Sequence, residues 1–156
     1  MPKLKMIAEP GKQETVLTYV FDAPRERVFK FYTNPDLIPQ WWGPRYLSTE
    51  VERMDVKPGG TWRYIQRDDA GNLYVFNGVY HEIVSPERLT YTFEYEGEPG
   101  HILLVTVRFE EMDGKTLIFE KSIYQSVEDR DGMISEGMES GADESMERLA
   151  ELLAVE

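Results

Sequence analysis

The chain of 156 residues carries 29 Asp and Glu against 17 Lys and Arg, which gives a formal net charge of −12 at pH 7. A surface this acidic repels phosphate backbones and anionic headgroups, and this argues against nucleic-acid and membrane-surface partners. Cysteine is absent, which excludes disulfides, thiol nucleophiles and thiolate metal sites. Because no apolar run reaches the length of a membrane span and the start lacks the apolar core of a signal peptide, we expect a cytoplasmic protein.

The first third of the sequence predicts a tail, a strand and two short helices. Residues 1–13 read as a solvated N-terminal tail, and residues 14–156 as one domain. Residues 14–22 (ETVLTYVFD) alternate and are rich in β-formers, as in a strand. Pro24 suits the first turn of a helix that ends at Asn34-Pro35, and a second short helix is predicted for residues 35–41.

From Ser48 to Tyr124 the sequence alternates between strand patterns and turn signals. The six predicted strands cover residues 48–56, 61–67, 74–84, 88–95, 102–111 and 115–124. Turns this short favour a continuous antiparallel meander, since parallel crossovers need a dozen or more residues. Much of the apolar face is aromatic, and Tyr64, Tyr80 and Tyr91 supply more hydroxyl groups than a dry core needs.

Residues 126–155 predict one long amphipathic helix lying across this sheet. Ser126 is placed to cap its first turn, and apolar or small residues recur at a spacing of three and four. Gly137 and Gly141 fall on this apolar stripe, where each costs about 1 kcal/mol relative to alanine in a helix interior. Two explanations stay open: a close approach of helix and sheet, or a space left between them.

Several stretches together resemble a known family. They are FDAPRERVF (21–29), WWGP (41–44), MDVKPGGTWRY (54–64), PERLTYTF (86–93), SVEDRDGM (126–133) and GMESG (137–141). In this order they resemble the activator of heat-shock-protein ATPase homologue-1-like family, within the START and birch-pollen-allergen superfamily (SRPBCC). The resemblance implies an α+β helix-grip fold, in which a curved antiparallel sheet of about seven strands grips the C-terminal helix, with a cavity between them. Members commonly carry tryptophan after the glycine that Gly141 matches, and Ala142 departs from that pattern toward a roomier cavity.

No catalytic or metal-binding constellation is visible. His81 and His101 are the only histidines, and neither has a partner at a spacing that favours metal binding or catalysis. No P-loop, GxSxG or dinucleotide fingerprint occurs. For the Trp41-Trp42 pair we favour a core role for at least one ring, with the mouth of the cavity as the alternative. The predicted cavity residues are Trp41, Trp62, Tyr64, Phe76, Tyr80, Tyr91, Phe93, Met138, Gly141 and Ala142.

Three functions remain open at this point. The sequence favours non-catalytic binding of a small hydrophobic or amphipathic molecule in the cavity, with no metal and no cofactor. The family resemblance implies a co-chaperone-like domain acting on a heat-shock chaperone ATPase as the first alternative. A cyclase- or hydrolase-like enzyme using the same cavity is the second, although no acid or base can be assigned to it from the sequence. A second copy of the chain, as a homodimer, is left open as a partner.

Overall fold

One antiparallel sheet forms the framework of the molecule, seen in a computed structural model that describes residues 4–155. Its eight strands are β1 (Lys5–Ile7), β2 (Glu14–Phe21), β3 (Ser48–Met54), β4 (Thr61–Arg67), β5 (Leu73–Val84), β6 (Arg88–Tyr95), β7 (Ile102–Met112) and β8 (Lys115–Ile123). The spatial order is β1-β2-β8-β7-β6-β5-β4-β3, so the predicted meander of short hairpins runs from β3 to β8. The chain then closes against β2, which pairs with β8.

Four helices cover the concave face of this sheet. They are α1 (Arg25–Thr33), α2 (Ile38–Trp41), α3 (Val127–Ser135) and α4 (Met138–Leu153). The arrangement is the predicted α+β helix-grip fold, with α4 as the gripped C-terminal helix. Within the described residues, none of the helices combines the length and the apolar character needed to cross a membrane.

The prediction of one continuous helix over residues 126–155 is wrong at its middle. Gly137 has a φ of 90° and divides the segment into α3 and α4, because this left-handed conformation ends one helix and starts the next. The predicted cap at Ser126 is confirmed, since its side chain accepts a hydrogen bond from the Asp129 amide. Gly137 is therefore a hinge between two helices rather than a helix-interior residue.

The segment predicted as a tail contains a strand. Lys5–Ile7 pairs with β2, with Met6 opposite Leu17, which raises the strand count from about seven to eight. Lys5 is exposed at this sheet edge and Lys12 lies in the turn that follows, whereas Lys3 falls outside the described residues. Three residues of edge strand are too few to produce a readable alternation.

Buried and half-buried arginines fasten the helices to the rest of the fold. Arg130 of α3, only 3% exposed, donates to the carbonyls of Glu9 and Glu14 and to the Asp131 carboxylate. Arg27 of α1 donates to backbone carbonyls at the C-terminal end of α4, where unpaired carbonyls attract a positive charge. These contacts attach α3 to the start of β2 and the C-terminal end of α4 to α1.

Candidate functional site

A cavity of about 320 Å³ lies between the concave face of the sheet and the helices that cover it. The structure places all ten residues predicted for a ligand cavity on its wall: Trp41, Trp62, Tyr64, Phe76, Tyr80, Tyr91, Phe93, Met138, Gly141 and Ala142. The sheet contributes most of the aromatic rings, α1 and α2 contribute Tyr32 and Trp41, and α4 contributes methionines and small residues. Sequence reasoning missed further wall residues, notably Trp42, Gln66, Glu120, Ser122, Tyr124 and Ser145.

The two adjacent tryptophans have different surroundings. Trp41 is 3% exposed, and its indole N–H donates to the Phe31 carbonyl at 3.0 Å, so it serves mainly as core. Trp42 is half-buried, with ring centroids 4.9 Å from Tyr64 and 5.3 Å from Phe76. Edge contacts of this kind suit aromatic quadrupoles. Both rings line the cavity, whereas the sequence predicted Trp41 alone as a cavity residue and left open which ring of the pair belongs to the core.

The loop after Trp42 is held against α4 by polar contacts. The Gly43 amide donates to Ser145 Oγ at 2.9 Å, and Arg148 donates to the Gly43 carbonyl at 2.8 Å. Gly43 has a φ of 94°, and a Cβ at this position would lie 2.0 Å from Gln66 Nε2. Only glycine satisfies both the conformation and the close approach. These contacts hold the Trp42 ring over the cavity.

Five tyrosines bring hydroxyl groups to the cavity wall: Tyr32, Tyr64, Tyr80, Tyr91 and Tyr124. Burial raises the pKa of Tyr64 and Tyr91 well above the ordinary value, and raises that of Tyr80 to about 12. All five are therefore neutral near pH 7, where they offer hydrogen bonds but no charge. Some have a methionine sulfur as hydrogen-bond acceptor: Tyr32 donates to Met146 at 3.7 Å, and Tyr64, which also interacts with the Tyr80 hydroxyl, donates to Met54 at 3.7 Å. Such weak acceptors leave the hydroxyls available to a polar group inside the cavity.

Glu120 is the carboxyl group on the cavity wall. It lies in β8, in phase with the buried residues Thr116, Ile118 and Ser122, and so points to the concave face. Burial raises its pKa to about 7, because the charged form loses hydration without gaining a partner. Alternation along β8 does not mark this position, because apolar residues occur on both faces of the strand.

The small residues of α4 border open space. A Cβ built on Gly141 would meet no heavy atom within 4 Å, and both Gly141 and Ala142 line the cavity. Of the two explanations for a glycine on this stripe, the structure therefore supports the space between helix and sheet at Gly141, and not a close approach.

A second depression lies beside the cavity. Phe93, Leu103 and Met133 line both of them, so the two share a wall. This groove, between the loop at residues 96–101 and α3, carries the side chains of Glu98, His101, Glu128, Asp129 and Glu136. His101 Nδ1 lies 3.0 Å from the Asp129 carboxylate, which raises the histidine pKa. The groove therefore has an acidic rim.

The other histidine has no comparable environment. His81 is exposed at a bulge in β5, where the pairing shifts between Tyr80 and Glu82. Across residues 4–155, no group of three or more His, Asp or Glu side chains is arranged to hold a metal ion.

A curved antiparallel sheet that grips a C-terminal helix over a cavity defines a helix-grip domain. The family model described as "Activator of Hsp90 ATPase homolog 1-like protein" matches residues 22–154. The chain belongs to this family, as the sequence motifs had indicated.

Solved structures share the fold at low identity. A Rhodobacter sphaeroides protein superposes with a TM-score of 0.91 at 22% identity, over 99% of each chain. A Mycobacterium smegmatis protein superposes with a TM-score of 0.89 at 21% identity, also over 99% of each chain. A protein from Silicibacter pomeroyi, whose description names it AHSA1, superposes with a TM-score of 0.75 at 22% identity. The match covers 91% of this chain and 98% of the Silicibacter chain. No curated protein matches the sequence significantly.

Proposed function

We propose that this protein binds a small amphipathic molecule, without transforming it, in the cavity between the sheet and α4. The observation that carries the proposal is the cavity itself: about 320 Å³, with mostly apolar and aromatic walls and a few polar groups. Sites for small molecules have this character, in which apolar walls supply affinity and a few hydroxyls fix the orientation. The volume lies at the lower end of the range for such sites, which favours a compact ligand.

The walls contain the groups that such a ligand needs. Trp62 and Tyr80 are 2% and 3% exposed and offer rigid aromatic surface on the sheet side. Met138 and Met146 lie opposite on α4, and methionine adapts its shape to the ligand at little cost. The cavity is therefore rigid on one side and adaptable on the other.

Titration with a neutral amphipathic probe tests this function. We expect the flavanone naringenin and the fatty alcohol decanol to change the fluorescence of Trp42 and Trp62, which line the cavity. A probe at a hundredfold excess over its dissociation constant should also stabilise the folded protein by about 2.7 kcal/mol, seen as a higher melting temperature. If a broad panel of neutral amphipathic compounds moves neither signal, the proposed function is wrong.

An interaction domain is the second candidate, and it makes a different prediction. The family description refers to activation of the Hsp90 ATPase, and exposed acids on the C-terminal segment (Glu136, Glu139 and Glu147) would require a basic partner surface. Such binding would weaken steeply with salt and need no small molecule. We expect no stimulation of a bacterial Hsp90-type ATPase by this protein. Saturable stimulation at low micromolar concentration would establish the second candidate instead.

A further inference from the structure

Glu120 is an ionisable carboxyl group without a partner inside the cavity. Its cross-strand neighbours are Leu17 on β2 and Val107 on β7, both apolar and buried. None of the ion pairs formed within residues 4–155 includes Glu120. A carboxylate in such surroundings costs free energy unless a cation or a hydrogen-bond donor reaches it.

The groups that act on Glu120 across the cavity are tyrosines. Tyr32 approaches from α1, Tyr91 from β6 and Tyr124 from the residue after β8. Burial is the largest cause that raises the pKa of each, and the charge of Glu120 raises it further. The cavity wall includes no Lys, Arg or His among the described residues. Ionisation of Glu120 therefore makes the interior of the cavity negative, with no cation on the cavity wall to balance it. The nearby Arg130, whose charge acts on Tyr124, is paired instead with the Asp131 carboxylate and the Glu9 carbonyl.

The aromatic wall adds a second preference for positive charge. The rings of Trp42, Trp62 and Phe93 lie within 6.5 Å of one another, centroid to centroid. The faces of such rings carry negative potential and attract ammonium groups, by an amount that grows when water is excluded.

The neighbouring groove is also negatively charged. Four carboxylates line it against one histidine, and it shares Phe93, Leu103 and Met133 with the cavity. With a net charge of −12 over the whole chain, the protein's field concentrates small cations near this surface.

We propose that the cavity selects molecules with a compact aromatic or aliphatic body and a protonated amine, and that the Glu120 carboxylate pairs with this amine. The inference rests on the proposed function, since it names the chemical class of its ligand. The tyrosine hydroxyls accept the remaining N–H groups, and the aromatic rings surround the body. Anionic amphiphiles such as fatty-acid carboxylates are excluded, because they find no cation in the cavity and would face Glu120.

Three probes with the same indole body test the proposal: tryptamine, a cation; tryptophol, a neutral alcohol; and indolepropionate, an anion. Isothermal titration calorimetry near pH 8 should rank them in that order. We expect tryptamine to bind about tenfold or more tightly than tryptophol, the difference typical of a charge-assisted hydrogen bond. Equal affinities for tryptamine and tryptophol, or tighter binding of indolepropionate, would overturn the proposal.

Two variants with the same net charge test whether Glu120 is responsible for the tighter binding of tryptamine. Glu120→Gln should lower tryptamine affinity about tenfold or more and leave tryptophol affinity within about twofold. Glu139→Gln removes an exposed carboxylate from α4 and should change neither. Tryptamine binding in wild type should also strengthen between about pH 5 and pH 8, as Glu120 ionises, and lose this dependence in Glu120→Gln.

The outcomes separate this proposal from the function on which it rests. If naringenin or decanol binds but tryptamine affinity does not depend on Glu120, the proposed ligand cavity is supported and the proposed preference for amines is wrong. If none of the indole probes binds, the amine proposal is overturned, whereas the proposed function is decided by the neutral panel. If Glu139→Gln weakens tryptamine binding as much as Glu120→Gln does, the loss of affinity comes from long-range electrostatics, and the pairing of the amine with Glu120 is wrong.

Discussion

Glu120→Gln is expected to raise the free energy of unfolding near pH 8 by up to about 3 kcal/mol. In the folded protein the pKa of Glu120 is about 7, against 4.5 for an ordinary glutamate. Between pH 4.5 and pH 7 the Glu120 carboxyl is therefore protonated in the folded protein but ionised in the unfolded chain. The free energy of unfolding of wild type consequently falls as pH rises through this range. The difference between the two pKa values corresponds to about 3 kcal/mol. Glutamine has no charge to desolvate and removes this cost.

Urea denaturation at several pH values measures the effect. The difference between variant and wild type should be small near pH 4, grow through neutral pH and level off above pH 8. Glu139→Gln controls for the general benefit of removing one negative charge from an acidic chain. A Glu120→Gln protein less stable than wild type at pH 8 would mean that the carboxylate has a stabilising partner, which contradicts its place in the structure.

Ala142→Trp is expected to abolish binding of naringenin while leaving the protein folded. Ala142 lines the cavity next to Gly141, where an added Cβ meets open space. An indole ring at residue 142 should enter the cavity and gain apolar contacts, so that the melting temperature holds or rises. In a tightly packed site the same change would cost about 1–3 kcal/mol through overpacking.

Calorimetric titration measures naringenin binding by this variant, and thermal unfolding measures its stability. Ser140→Trp puts the same ring at an exposed position of α4 and should leave naringenin binding unchanged. An Ala142→Trp protein that unfolds several degrees earlier and still binds naringenin would show that residue 142 does not face a ligand site.

The sequence predicted the fold because its strongest patterns are local. Alternation in strands such as β4, where Trp62 and Tyr64 point inward and Arg63 does not, sets the inner face without knowledge of any partner strand. The hairpin at Asp113-Gly114 marks one turn just as clearly, with Asp113 at a φ of 49°. Antiparallel neighbours joined by short turns then leave little freedom in the topology.

The errors occurred where a pattern continues across a break or is too short to be seen. Met133 of α3 and Met138 of α4 both line the cavity, and the spacing of such residues does not reveal that Gly137 turns the backbone between the two helices. Only the value of φ separates a glycine hinge from a glycine in a helix interior. The strand Lys5–Ile7 has one residue on its inner face and so shows no alternation.

Glu120 shows why the chemistry of the cavity was harder to predict than its walls. Both faces of β8 carry apolar residues, with Ile118 inward and Phe119 outward, so the phase of the strand is set by its partners β2 and β7. The outward Phe119 packs under Arg108, whose guanidinium carbon lies 5.0 Å from the ring centroid. A glutamate in such a strand reads as a surface residue until the register is known.

The most direct test of a ligand site between sheet and α4 is two-dimensional NMR of the isotope-labelled protein during titration with naringenin. We predict saturable shifts of the Trp42 and Trp62 indole signals and of backbone amides on both walls, including Tyr91 on the sheet and Ala142 on α4. Shifts confined to exposed residues on the outer face, such as Leu104 and Ile123, or shifts that do not saturate, would contradict it.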